Sequence, residues 1–158
     1  MAGVFVVEHF ITEVSKNPHY LHKMELVIVP MANPDGFQFS HTTNRMWRKN
    51  RNPNAGADCI GVDLNRNWPV DWGGGASTST DECSEVFVGK GPCSEPESKT
   101  IKSIIDEPGY VDVHLDFHSY SEMILEPWSY STDRRHPKRN AIDSLAKAMK
   151  QKVGEIRG

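Results

Sequence analysis

Apolar residues recur at helical spacing near the start of the chain. Val4, Val7, Ile11 and Val14 share one face, which predicts a helix over residues 3–15 that Asn17-Pro18 stops. Residues 25–29 form a short apolar run ended by Pro30, the pattern of a buried strand. From Asn33 to Pro92 the text reads as loop, punctuated by Pro-Asp-Gly, Asn-Pro-Asn-Ala-Gly and Trp-Gly-Gly-Gly-Ala. So much loop within a compact domain points to function. Ser94-Glu95-Pro96-Glu97 opens a second helix: Ser94 can cap it, Glu97 can reach back, and Pro96 fits the first turn. That helix carries Ile101, Ile104 and Ile105 on its apolar side. Residues 111–117 read as a strand and 123–125 as another. Ile142, Leu145, Met149, Val153 and Ile156 set a last helix over 140–156. This order predicts an α/β fold, a mixed β-sheet flanked by helices. Ligand sites in open α/β sheets gather at the carboxyl ends of strands, and His118 stands at such an end.

Composition narrows the partners more than the fold. The chain has 158 residues, 37% hydrophobic and 25% charged, ordinary for a soluble globular protein. A net charge of −3 gives no reason to expect nucleic acid or an anionic membrane as partner. The longest apolar run, residues 4–7, is far short of the ~20 residues of a membrane span. The first residues do not read as a signal peptide, because a basic start is missing and Glu8 and His9 interrupt the apolar stretch. No Cys-x-x-Cys pair occurs among the three cysteines, which argues against a cysteine zinc site.

Three segments carry candidate chemistry. Gly61-Val62-Asp63-Leu64-Asn65-Arg66-Asn67-Trp68 offers an amide beside a guanidinium. Arg66 can grip a carboxylate through two parallel N–H bonds, and Asn65 adds directional donors. Asn44-Arg45-Met46-Trp47-Arg48-Lys49 places Arg48 among other cations, where one more solvated charge is the bland alternative. Asp116-Phe117-His118-Ser119-Tyr120-Ser121 ends a strand on an imidazole able to bind a metal. His114 lies on the same strand face, but four strand residues span ~13 Å, too far to share an ion with His118 at ~2.1 Å bonds. His19 and His22 read as solvated loop histidines. Asp63 could orient a metal-bound histidine through its free ring nitrogen, or simply make local turn bonds.

These segments, together with Pro30-Met31-Ala32-Asn33-Pro34-Asp35-Gly36-Phe37, resemble the zinc metallocarboxypeptidases, specifically the carboxypeptidase A/B branch. The resemblance runs through essentially the whole chain. It implies that His118 is a zinc ligand, that Arg48 stabilises the oxyanion, and that Asn65 and Arg66 hold the substrate's terminal carboxylate. It implies substrate contacts from Ser119 and Tyr120, a second-shell role for Asp63, and a disulfide between Cys59 and Cys83, with a pair of free thiols as the alternative. It further implies one zinc ion, peptide or protein C-termini as substrate, a monomer, and a secreted or extracellular location.

The resemblance places the family's His-x-x-Glu zinc motif just before Met1 and its general-base glutamate well after Gly158, so the chain reads as the middle portion of a catalytic domain, inactive alone. Two other classes stay open: a non-catalytic module that binds peptide C-termini, and a non-functional truncation. If Arg48, Asn65, Arg66 and His118 share a site, Arg66 lies within roughly 10 Å of His118, about three strand residues.

Overall fold

The described residues of the computed structural model are 2–22, 24–107, 109, 111–121, 123–128, 131 and 133–157. The chain divides into two units, Met1–Phe117 and His118–Gly158. Helix α1 spans Ala2–Lys16, and its last turn is tied by a Lys16–Glu13 ion pair at 3.1 Å. A 3-10 turn over Pro18–His22 follows directly. Helix α2, Pro34–Thr42, lies where the sequence pattern predicts loop. Its start is fixed locally: the Asn33 side chain accepts from the Gly36 amide at 3.0 Å, and Pro34 fits the first turn. Gly36 is buried, and a Cβ there would lie 2.6 Å from the Lys49 carbonyl oxygen, so a side chain does not fit.

Helix α3, Pro96–Ile105, forms as expected, with a different cap. Glu95 occupies the cap position without a side-chain cap bond. Ser94 Oγ instead donates to Glu95 Oε1, and Glu97 accepts from Asn50 rather than reaching back. Tertiary partners outcompete the local capping box. Ile101, Ile104 and Ile105 are half-buried. Helix α4, Arg139–Arg157, forms the second unit's long element. Ile142 and Met149 are half-buried while Leu145 and Val153 are exposed; the side chain of Ile156 lies outside the described residues.

The expected mixed sheet is not formed among the described residues. One isolated parallel bridge, Ser79 to Phe87, is the only strand-like pairing they make. Segments 25–29 and 111–117 carry the apolar pattern of strands yet form no strand among the described residues. The reason is physical: an extended segment becomes a strand only when a neighbour takes its N–H and C=O groups. Leu26, Val27 and Val29 are accordingly exposed, as are Val113, Leu115 and Phe117. The short segment 123–125 is likewise exposed and unpaired into strands.

The tightest packing lies in the region without long elements. Ala55, Val62 and Phe87 form a buried cluster. Around it are buried Lys49, Asn50, Asp63, Asn67, Glu95 and Ser98. Gly61, at φ +86°, lets the chain pass against Asn50, whose carbonyl oxygen would stand 2.3 Å from a Cβ. The core of the first unit is therefore small, polar and held by hydrogen bonds. No helix of the described residues is long and apolar enough to cross a membrane.

Candidate active site

Two arginines face one buried carboxylate. Asp63 Oδ2 accepts from Arg48 Nε at 2.9 Å and lies 2.8 Å from Arg48 Nη2. The same oxygen is 4.0 Å from Arg66 Nε. Asp63 is buried, with its side chain 4% exposed, while those of Arg48 and Arg66 are 44% and 24% exposed. The motif folds this way because Asp63 Oδ1 also accepts the Asn65 amide at 3.1 Å, capping a 3-10 turn over Leu64–Arg66. That turn presents Asn65 exposed and Arg66 half-buried. Arg66 Nε donates to the Ser77 carbonyl at 2.7 Å and Nη1 to the Asn65 carbonyl at 3.0 Å. Among the described residues Nη2 has no protein partner. Two guanidinium groups around one carboxylate leave a net positive charge of one, suited to a second, incoming carboxylate.

The flanks of Arg48 are anchored on both sides. Trp47 packs edge-on against Phe39 with ring centroids 5.0 Å apart. Its Nε1 donates to the Asn50 carbonyl at 3.2 Å. The Arg51 guanidinium stacks 3.7 Å from the Phe39 ring and 4.5 Å from that of Trp47. Lys49 is not one of a group of solvated charges, as its neighbours suggest in the sequence. It is buried, and its Nζ donates to the Glu82 carbonyl at 2.7 Å. Burial pushes the Lys49 ammonium below its ordinary range, opposed by the nearby carboxylates of Glu85, Asp81 and Glu82.

Cys59 and Cys83 are joined, with Cα atoms 5.1 Å apart, and Cys93 is free. Glu82 reinforces this closure. Its carboxylate accepts the amides of Ala57 and Asp58, the latter at 2.9 Å. The loop beneath the site is thus tied by a covalent bond, a carboxylate and a buried lysine.

His118, Ser119 and Tyr120 open the second unit and are exposed within it. Among the described residues no three of His, Cys, Asp and Glu are grouped to hold a metal ion. Catalytic zinc takes three protein ligands, and His118 is the single candidate that the sequence offers. Among the described residues the donor set does not make up a complete zinc site.

A family profile described as zinc carboxypeptidase matches residues 2–158. The chain belongs to the zinc carboxypeptidase family. The chain is 43% identical over 142 residues to a metallocarboxypeptidase A-like protein of Trichophyton verrucosum, covering 87% of the chain and 33% of that protein. It is 36% identical over 150 residues to carboxypeptidase A1 of Sus scrofa, covering 93% and 35% respectively. Among solved structures it is similar to carboxypeptidase A from Helicoverpa armigera, with TM-score 0.73 and 36% identity, covering 82% of the chain and 31% of that one. It is also similar to bovine thrombin-activatable fibrinolysis inhibitor in complex with tick carboxypeptidase inhibitor, with TM-score 0.67 and 35% identity, covering 75% and 40%. The chain spans about a third of the length of the curated relatives it matches.

The sequence leaves the scaffold of the site unread. Asn50, Asn67 and Glu95 are buried polar residues that support the arginine-bearing segments. Their one visible signal is position, since Asn50 and Asn67 sit two residues and one residue from Arg48 and Arg66.

Proposed function

We propose that this chain carries the substrate-anchoring part of a zinc-dependent carboxypeptidase, an exopeptidase that hydrolyses the C-terminal peptide bond of peptides and proteins. The observation that carries the reading is the buried Asp63 shared between Arg48 and Arg66. An exopeptidase must distinguish a chain end from an internal peptide bond, and the end bears a negative charge. Arg66 and Asn65 bind that terminal carboxylate, with Asp63 holding the Arg66 turn in place. Arg48, next to it, stabilises the charge that develops on the scissile carbonyl oxygen. Ser119 and Tyr120 contact the substrate. His118 is one zinc ligand; the remaining ligands and the general base come from family sequence outside the matched segment. Asp63 retains acceptor capacity for the ring N–H of such a histidine ligand.

Segments 25–29 and 111–117 are, on this reading, strands of the family's mixed sheet, each completed by neighbouring strands that the longer relatives supply. Membership of the family and the Cys59–Cys83 bond support a secreted or extracellular protein. A monomer is the simplest assembly for it, with neither nucleic acid nor membrane as partner.

One observation favours a second reading for the chain taken by itself. With a single candidate ligand and no grouped donors among the described residues, it can bind peptide C-termini without hydrolysing them. The test is zinc-dependent release of terminal residues by the full-length protein. Release from free-carboxylate peptides that is lost in His118→Ala supports the enzyme. Binding without release supports the module, and neither sinks both.

A further inference from the structure

We infer that Glu95 is a positioning residue: a buried carboxylate that sets the spacing of the two arginine-bearing segments and so tunes carboxylate recognition. The inference rests on the proposed role of Arg48, Asn65 and Arg66.

Glu95 is 2% exposed, and it forms no ion pair among the described residues. A buried charge without a counter-ion is costly unless its lone pairs are filled. Here they are filled by donors from three places in the chain. Oε2 accepts from Asn50 Nδ2 and Asn52 Nδ2, each at 2.8 Å. Oε1 accepts from Ser94 Oγ at 2.7 Å.

Two of these donors, Asn50 and Ser94, lead to the site. Asn50 Oδ1 accepts the Val62 amide at 2.8 Å, and the Asn50 amide donates back to the Val62 carbonyl at 2.9 Å. Val62 directly precedes Asp63, and Asn50 stands two residues after Arg48. Ser94 Oγ accepts from Asn67 Nδ2 at 2.9 Å, while Asn67 Oδ1 accepts the Glu95 amide at 3.2 Å. Asn67 directly follows Arg66. One carboxylate therefore pins both ends of the Asp63–Arg66 turn and the segment bearing Arg48. Gly89, at φ +85°, admits this packing, since a Cβ there would lie 2.6 Å from Ser94 Oγ and 2.8 Å from Asn67 Nδ2.

A purely structural residue changes stability and leaves selectivity among folded molecules intact. A positioning residue changes selectivity. The test measures binding of an N-blocked dipeptide with a free C-terminal carboxylate, and of its C-terminal amide, to the 158-residue chain and its variants, with the fold checked by circular dichroism. The chain is expected to prefer the carboxylate by about tenfold or more, the worth of a charge-assisted bond. Glu95→Ala orphans the Asn52 amide, leaves Asn50 Nδ2 only its longer bonds to Glu97 at 3.2 and 3.3 Å, and is expected to lose most of that preference, with faster hydrogen exchange at the Val62 amide. Glu95→Gln keeps one oxygen for Asn50 and Asn52, and Ser94 Oγ, which already accepts from Asn67, can take the new amide's N–H on its second lone pair, so it should restore the preference. A folded Glu95→Ala that keeps the full preference overturns the inference. If Glu95→Ala does not fold, Ser94→Ala and Asn52→Ala decide: an unchanged preference in both overturns it, and a reduced one supports it. No preference in the unmodified chain overturns instead the anchoring role, and the inference with it.

Discussion

Arg48 and Asp63 meet end to side, with Nε at 2.9 Å and Nη2 at 2.8 Å from a single carboxylate oxygen. Because Asp63 is buried and Arg48 half-exposed, the carboxylate is the fixed member and the guanidinium the adjustable one. Asp63 also caps the turn that carries Arg66. One side chain therefore links an element of stability to the orientation of both cations.

Asp63→Ala should lower the stability of the chain by about 1–3 kcal/mol, the range for a buried group with charge-assisted bonds. The Coulomb part is discounted because Arg48 faces solvent. Urea denaturation measures it. A loss within error of zero would show that the turn is held by its backbone alone.

The Cys59–Cys83 bond closes a loop with a sequence separation of 24. In the chain-entropy model such closure is worth about 3 kcal/mol. The double substitution Cys59→Ser with Cys83→Ser should therefore lower the urea midpoint, while Glu82 and Lys49 keep the folded loop in place. Loss of amide protection at Ala57 and Asp58 in the folded double variant would contradict that support.

Lys49 gives a pH signature. Its folded value is depressed from 10.5 by burial. At lower pH both folded and unfolded chains carry the charge, and the fold bears the desolvation cost. As pH rises through the interval between the depressed value and 10.5, the folded lysine sheds its proton first. The unfolded chain then binds more protons, and stability rises with pH. Relative to Lys49→Met, the unmodified chain should gain stability as pH rises from the depressed folded value toward 10.5. Parallel pH profiles of the two chains would contradict the assignment.

Much of the helical framework is legible in the sequence, because α1, α3 and α4 each place apolar residues at intervals of three and four. Helix α2 escapes that reading. Its signal is the Asn33-Pro34 start, and its stability comes from Phe39 against Trp47 and Gly36 against the Lys49 backbone. The strand segments are visible as apolar runs, but pairing belongs to neighbours rather than to the run itself. The site reads in the same uneven way. Arg48, Asp63, Asn65 and Arg66 stand out as strings, whereas Glu95 meets Asn50 across a separation of 45 residues, which no local pattern encodes. Lys49 looks like a surface charge until Phe87 and the Glu82 carbonyl are found around it.

The chain by itself should bind zinc weakly and release no terminal residues from peptides. One imidazole makes a poor site where three or four protein ligands are usual. Calorimetry should find no stoichiometric submicromolar site. A tight site abolished by His118→Ala, or zinc-dependent release of amino acids, would mean that ligands have been overlooked.

The central claim is that Arg66, with Asn65, reads the terminal carboxylate. The most direct measurement is a titration of the chain, followed by nuclear magnetic resonance, with a free-carboxylate dipeptide in unmodified and Arg66→Met forms. The Arg66 Nε and Asn65 side-chain amide signals should shift on binding, and affinity should fall about tenfold or more in Arg66→Met. Binding of equal strength in both forms, with those signals unmoved, would contradict it.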